Sequence, residues 1–519
     1  MKKIKNIFFT ISATIFLLVS GSGCSFLERD PLETVAPDNF WRNQKDVEAF
    51  MAGVYNSLQT TLRTNWFDWG EVRSDNVTRA GTGTAQTKLL NNVLAGNDND
   101  LNSITDWTNL YRTISLCNTA INRLPPMIES NVAAGEVLYR DKLGQAYAIR
   151  AMLYFYALRV WGGVPIVDTP IESVTEQINF PRATVAEVKA QILSDLDGAI
   201  ANIGGNTAIK FYIQRPAVYA LKTDVHMWFQ EYNEAISASN NISGYSWVTN
   251  GAGWKNIFLN PEASTETIFN LYWDAVEFGN EGIGVCQKFG SGSNTSQYTF
   301  GGNVIGKYYN RVDPVTNRKL DSRLWNSVDT VLYPTLAIYE TTVEKFGKFM
   351  AVDPVTNRFT YIGNDQCNVK LPIYRYADVM LLRAEALART GSHQQALDIV
   401  NAVRNRVGYT IQARLSDYSG TSDQIGIAIQ RTVLEERQLE LLGEGKRWFD
   451  LCRIGNIYDY SLNGYEYLRE IMNPVLSSRA GSVVYNSNEA MGRILYPINS
   501  AVINANPLLR GKQNPPYSE

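Results

Sequence analysis

The chain has 519 residues, with 48 Lys and Arg against 51 Asp and Glu, and a formal net charge of −3. A mildly acidic chain lacks the basic footprint of nucleic-acid binding. Its length allows two or three domains, or one large helical array with insertions. It holds only two histidines, His226 and His393. This nearly excludes His-rich metal sites and leaves few ways to build a Ser-His-Asp or Cys-His unit.

Lys2, Lys3 and Lys5 precede an apolar run from Ile7 to Val19, followed by Gly21-Ser22-Gly23-Cys24. A basic start, an apolar stretch short for a bilayer span, and small residues before a cleavage point describe an export signal. The cysteine immediately after that point resembles the lipobox of bacterial lipoproteins, although Gly21 stands where a lipobox usually has Leu. Residues 1–23 are expected to be a signal peptide, Cys24 a lipid anchor, and residues 24–35 a tether. The alternative is an ordinary secreted protein with an incidental cysteine. Losing the three lysines takes the charge from −3 to about −6. No other segment is apolar and long enough to cross a bilayer.

Helical patterns follow. Leu143, Ala146, Tyr147, Ala151, Tyr154, Leu158 and Trp161 recur every three or four positions and form one stripe, which Gly162-Gly163-Val164-Pro165 ends. Thr184 with Glu187 makes a capping box before Val188, Ile192, Leu196 and Ile200. Residues 216–242 and 374–407 each read as a helix-turn-helix hairpin, with Ala235 and Ala396 opening the second helices where the pair must cross closely. The two alanines are 161 positions apart, not one repeat of about 34. The hairpins therefore either pack together in space or stand as independent pairs. Ser392 to Gln395 reads as a further capping box, with His393 a first-turn surface residue. His226 reads as a packed histidine. A helix is expected over about 423–442.

Between these blocks, residues 66–106 are rich in Gly, Asn, Thr and Asp, and residues 244–370 in Gly, Asn, Tyr and Trp, with β-prone runs such as Thr267 to Tyr272. Val-Asp-Pro-Val-Thr-Asn-Arg occurs twice, at 312–318 and 352–358. Asp-Pro and Thr-Asn favour turns. Apart from Cys24, the cysteines Cys117, Cys286, Cys367 and Cys452 are far apart and form no CxxC pair. Metal binding through them is not expected, and buried thiols or one disulfide remain open.

Several ordered blocks resemble the SusD/RagB-type nutrient-binding lipoproteins of the Bacteroidetes. They are Asn39-Phe40-Trp41 with Val54-Tyr55-Asn56; Ala148-Ile149-Arg150-Ala151 with Trp161 to Pro165; and Tyr374 to Asp378 with Leu382 to Leu387. The most specific is Glu436 to Leu441 followed by Glu444-Gly445-Lys446-Arg447-Trp448-Phe449-Asp450-Leu451; Leu495 to Ile498, Asn506-Pro507 and Gln513 to Pro515 also fit. The resemblance covers nearly all of residues 36–519. It implies a mostly α fold, with four tetratricopeptide-like helical pairs as scaffold and an irregular, loop-rich lobe with short strands. On this reading the scaffold takes about 36–65, 101–243 and 371–456, and the ligand lobe about 66–100 and 244–370. It also implies a non-enzymatic, cell-surface glycan-binding lipoprotein of the outer membrane. Such a protein hands oligosaccharides to a SusC-like TonB-dependent transporter and needs no cofactor. The alternatives are a peptide-binding member of the same family, a helical-repeat scaffold that only holds an outer-membrane complex together, and a glycoside hydrolase.

Glu435, Glu436, Glu440 and Glu444 offer carboxylates, and glycoside hydrolysis uses two across a bond. Glu436 and Glu440 share a helix face beside Arg437 and Arg447, so a structural ion network is the expected reading. Asn97-Asp98-Asn99-Asp100 has oxygen ligands for calcium but lacks EF-hand spacing, so a solvated turn is expected.

The tryptophans carry more. Trp41, Trp107, Trp161, Trp228 and Trp448 fall in helical or family-motif stretches and are expected in the core. Trp66, Trp69, Trp247, Trp254, Trp273 and Trp325 lie in the irregular regions. Sugars pack C–H faces on flat rings and need amide, carboxylate and guanidinium partners for their hydroxyls. The ligand site is therefore expected at Trp66, Asp68, Trp69, Asn76 and Arg79, with Asp75 nearby, joined by Trp273 and Trp325.

Overall fold

The computed structural model describes residues 40–80, 83–130, 136–171, 178–204, 209–249, 251–273, 288, 297–332, 334, 346–356, 358–360 and 369–518. Cys24, the tether, Cys286 and Cys367 lie outside them. The helices of five or more residues are α1 (Gln44–Gly70), α2 (Thr84–Leu90), α3 (Thr108–Ser130), α4 (Glu136–Trp161), α5 (Val185–Asn202), α6 (Arg215–Trp228), α7 (Tyr232–Ser239) and α8 (Gly251–Leu259). They continue with α9 (Gly302–Tyr309), α10 (Arg323–Ser327), α11 (Tyr376–Arg389), α12 (His393–Arg406), α13 (Ser422–Glu440), α14 (Arg447–Arg453), α15 (Glu466–Ser477) and α16 (Ser500–Ala505). The strands are β1 (Val77–Ala80), β2 (Thr267–Trp273), β3 (Tyr298–Phe300), β4 (Ala351–Val352), β5 (Phe359–Thr360) and β6 (Val369–Arg375). They pair antiparallel as β1–β3, β2–β6 and β4–β5.

Two compact units divide at Phe50. In the short first unit, the rings of Trp41 and Phe50 lie 4.6 Å apart, and Asp46 accepts the Arg42 amide at 3.0 Å. In the second unit, α4 is buried almost all round rather than along one stripe. Its polar residues explain how. Arg150 donates to Asp195 of α5 at 2.6 and 2.9 Å and to Asn118 of α3 at 2.7 Å, while Arg159 reaches Asp224 of α6 at 3.3 Å. A buried guanidinium is tolerable when it is paired and hydrogen-bonded.

The two hairpins do pack together. Met227 of α6 and Ala235 of α7 share a buried cluster with Leu382 and Ala386 of α11. Ala396 of α12 lies in a second cluster with Leu387, Val400, Ile429 and Val433, which joins α11, α12 and α13. The capping box at Thr184 and Glu187 forms as expected. The box expected at Ser392 does not: ψ of 53° turns this residue out of the extended conformation that a capping side chain needs, and no side-chain cap bond forms. A box forms instead at Thr421 and Gln424, opening α13.

Glu436 and Glu440 of α13, with Glu444 just beyond its end, sit in a buried ion network, as the spacing of Glu436 and Glu440 implied, while Glu435 is exposed and pairs with Lys307 at 3.3 Å. Glu436 accepts from Arg311 and Arg323 at 2.7 Å and from Arg404 at 3.0 Å. Glu440 accepts from Arg375 at 2.6 Å, from Arg323 at 3.0 Å and from Arg406. Glu444 binds Lys348 at 2.6 Å and Arg375 at 2.7 and 2.8 Å. Burial alone pushes carboxyls up, but here the guanidiniums win and hold Glu436 and Glu440 well below the ordinary range.

Residues near the C-terminal end are stitched to distant parts of the chain. Arg73 donates to the Ile494 carbonyl at 3.0 Å and the Tyr485 hydroxyl at 3.0 Å, with its guanidinium 4.4 Å above the Trp448 ring. Arg182 donates to the carbonyls of Gly163, Trp161 and Lys512 at 2.6, 2.7 and 2.6 Å. Asn514 donates to Trp161 and Tyr496 carbonyls at 2.9 and 2.8 Å.

Candidate functional site

The residues expected to form the ligand site separate into two groups. α1 continues through Gly70, so Trp66, Asp68 and Trp69 are helical rather than on a loop. Trp66 and Trp69 are 2 % and 1 % exposed. A Cβ on Gly445 would meet the Trp66 ring at 2.5 Å, so glycine lets the 443–446 turn (φ +69° at Gly445) close over that ring. The Trp69 indole donates to the Ile104 carbonyl at 3.0 Å, and its ring meets Trp161 edge-on at 5.4 Å. Trp273, the last residue of β2, is 1 % exposed. These three rings have no face open to a sugar, and their placement corrects the expectation that they stack on ligand. The reason is that the polar residues beside them are spent on internal bonds. Trp254 is buried too, its indole donating to Glu440 at 3.3 Å.

Asp68 accepts Lys288 at 2.8 and 3.0 Å and the Tyr298 hydroxyl at 2.9 Å. Asn76 donates to Glu71 at 2.7 Å and accepts Gln438 at 2.8 Å. Asp75 holds Arg447 at 2.7 and 3.1 Å. Burial raises the Asp75 carboxyl and Arg447 more than offsets it, leaving it below the ordinary range. Asp68, Asp75 and Asn76 are all buried, which makes them fastenings rather than ligand contacts. Arg79 lies on β1, where it pairs with Thr299 of β3, so the two irregular regions meet through this strand pair.

Trp325 is different. It is 43 % exposed, on the five-residue helix α10. Its neighbour Arg323 is fully buried, bonded to Asp321 at 2.6 and 2.9 Å and to Glu436 and Glu440 of the scaffold. Leu324 is also buried. One side of α10 is thus locked to the ion network while Trp325 faces outward. Lys255 of α8 braces the other end of the helix, donating to the Asn326 and Lys348 carbonyls at 3.1 and 3.0 Å and to that of Gly347. Burial, with Lys348 nearby, holds this ammonium well below its ordinary pKa. Asp329 follows, its buried carboxylate accepting the amides of Val331 and Leu332 at 3.2 and 3.0 Å and Arg358 at 3.2 Å. Val331 and Leu332 are exposed. The result is one exposed ring held on a braced helix. The sequence displayed Trp325 but gave no sign of Lys255 or Asp329, which act through backbone carbonyls and amides that no motif records.

A separate, mainly apolar cavity of about 380 Å³ is lined by Trp107, Tyr111, Pro165, Phe180, Val502 and Leu509. At residues 97–100, Lys88 occupies the acidic pair, 2.6 Å from Asp98 and 2.8 Å from Asp100. Among the described residues no group of three or more His, Cys, Asp or Glu is placed to hold a metal ion. Cys117 and Cys452 are buried free thiols.

Comparison with known proteins fits this architecture. A model described as the SusD family matches residues 336–517, and one described as starch-binding associating with outer membrane matches residues 25–227. The chain belongs to the SusD family. It is 29 % identical to SusD-like protein P38 of Formosa agariphila across 100 % of both chains. It is 25 % identical to SusD-like protein P2 of the same organism, over 88 % of this chain and 91 % of that one. The fold matches Bacteroides fragilis NanU with a TM-score of 0.69 at 21 % identity, covering 94 % of this chain and all of the other. It matches a laminarin binding SusD-like protein with a TM-score of 0.66 at 20 % identity, covering 92 % and 100 %. In this chain the Trp448 motif that carried the resemblance is buried in the scaffold.

Proposed function

We propose that this SusD-family chain is a cell-surface, non-catalytic glycan-capture protein. It binds oligosaccharides and delivers them to a SusC-like TonB-dependent transporter in the outer membrane, the partnership in which SusD-like proteins work. The observation that supports capture rather than cleavage is the state of the carboxylates. Glu436, Glu440 and Glu444 are buried and paired with arginine or lysine, so none stands free across a bond as glycoside hydrolysis requires. Trp325, exposed on a braced helix, is the ring we assign to ligand stacking.

Attachment is by lipid at Cys24. Among the described residues no helix is long and apolar enough to cross a membrane. Cys24→Ala is expected to leave a folded protein that is released from the membrane fraction. Purified protein screened against polysaccharides and peptide mixtures tests the capture role. Binding of peptides and of no glycan would move the ligand to the peptide class, and turnover of a bound sugar would overturn the non-catalytic assignment.

A further inference from the structure

The repeated heptapeptide is a repeated structure. In the first copy Asp313 accepts the amides of Val315 and Thr316 at 2.9 and 2.8 Å, and its own amide donates to the Arg318 carbonyl at 2.9 Å. In the second, Asp353 accepts from Val355 and Thr356 at 2.8 Å each and donates to the Arg358 carbonyl at 2.8 Å. The stems close alike, by the Val312–Lys319 bridge and the β4–β5 pair. Each aspartate is used to rigidify its own turn. What each loop then offers outward is the same set of groups: proline, a valine 90 % or 91 % exposed, threonine and arginine.

Both loops are anchored beside the Trp325 helix. The first runs through Leu320, whose amide donates to Arg311 at 2.9 Å, straight into Asp321 and α10. The second is tied by Arg358 to Asp329, two residues beyond α10. Through its Nε, Arg358 reaches Asp329 while the side chain stays 46 % exposed. Arg318 is exposed, and its charge adds to the backbone amides that hold the Asp313 carboxyl below the ordinary range. Two copies of one rigid turn, each with an exposed arginine at its stem and each joined to the segment that carries the exposed Trp325 ring, match a ligand that repeats along its length and carries negative charge.

We propose that the Val312–Arg318 and Val352–Arg358 loops form paired subsites for an anionic polysaccharide, with Arg318 and Arg358 each binding a carboxylate or sulfate. Guanidinium suits both acids through its planar fork of donors. This inference rests on the glycan-capture reading and narrows its substrate class.

The test is isothermal titration and affinity electrophoresis of the mature protein with polygalacturonate, a sulfated galactan and neutral laminarin. The expected result is binding of at least one acidic polymer that weakens as salt rises, since exposed charge pairs are screened. Arg318→Gln and Arg358→Gln should each weaken it about 10-fold, and the double variant about 100-fold, with unchanged melting temperature. Arg318→Gln is the cleaner variant, and Arg358→Lys controls for loss of the Asp329 pair by keeping the charge. Binding of only the neutral glucan would overturn this inference and leave glycan capture standing. No binding of any glycan would overturn both. A double variant that holds the acidic polymer as tightly as the wild type would overturn the arginine subsites, and an effect confined to one arginine would overturn their pairing.

Discussion

Trp69 and Trp325 both sit among Asp, Asn and Arg in the sequence, yet their surroundings are opposite. Around Trp69 every polar neighbour is turned inward: Asp68 to Lys288, Asp75 to Arg447, Asn76 to Glu71. Around Trp325 the inward bonds belong to Arg323 and Lys255, and the ring itself is left at the surface. A ring becomes available to a ligand when other residues carry the anchoring. Polar composition near an aromatic residue does not by itself separate a sugar platform from a well-fastened core.

The strongest test of this contrast is on the inward side. Glu440→Ala removes the shared partner of Arg323, Arg375 and Arg406 and is expected to cost about 3–5 kcal/mol, the penalty for orphaning buried charge. Chemical denaturation reads it directly; a loss below about 1 kcal/mol would mean the network behaves as a surface one. Trp66→Ala and Trp448→Ala should each cost about 3–5 kcal/mol through the cavity left behind, with glycan affinity unaffected in the folded fraction. If Trp66→Ala instead weakens glycan binding at full stability, the division drawn between the two groups of rings is wrong.

The pH response comes next in size. Burial pushes the Glu71 carboxyl from 4.5 up to about 7, against the hydrogen bonds it accepts from Asn76 and from the Gly443 and Lys446 amides. A raised carboxyl binds its proton more tightly in the folded state than in the unfolded one. Its contribution is therefore full below the unfolded value and is lost as pH rises from about 4.5 to about 7, on the order of 3 kcal/mol. Asp450 has the opposite sign. Burial raises it, but Arg437 and Arg453 bring it from 3.8 down to about 2, so its contribution is lost as pH falls through that interval. Glu71→Gln should flatten the decline between pH 4.5 and 7 relative to the wild type. Equal slopes in melts across that range would show that Glu71 does not titrate there.

The smallest effect on stability is expected at Trp325. Trp325→Ala should shift folding by no more than about 0.5 kcal/mol, as exposed substitutions do. It should weaken glycan binding by about 1–3 kcal/mol, the scale of an interface anchor. A variant that loses stability and keeps its affinity would move Trp325 into the packing class with Trp66.

Much of the scaffold was legible in the sequence because its signals are local. The apolar spacing of residues 143–161, the Thr184 box and the alanines that open α7 and α12 each act within a turn or two of helix. The glutamate network was legible for the same reason, since Glu436 and Glu440 share one helix face. The site was not, because exposure is a property of the assembled molecule. Nothing near Trp66 announces that Gly445 will close over it, and nothing near Asp68 announces Lys288, 220 positions later. The repeated heptapeptide lies between these cases. Its turn chemistry was readable from Asp-Pro and Thr-Asn, but its position beside α10 depends on Asp329 and Arg358 meeting in space.

The stitching near the C-terminal end bears on when the molecule becomes solid. Arg73 finds its Ile494 partner 421 positions later, and Arg182 finds Lys512 330 positions later. Contacts of such separation reward the chain only after a long loop has been closed. For a chain that emerges N-terminus first, Arg182 can bond the Gly163 and Trp161 carbonyls early, but its bond to Lys512 and that of Arg73 to Ile494 must wait for those residues to appear. On contact separation alone, the helical hairpins are expected to form before the seam that Asn514 makes with Trp161, 353 positions earlier.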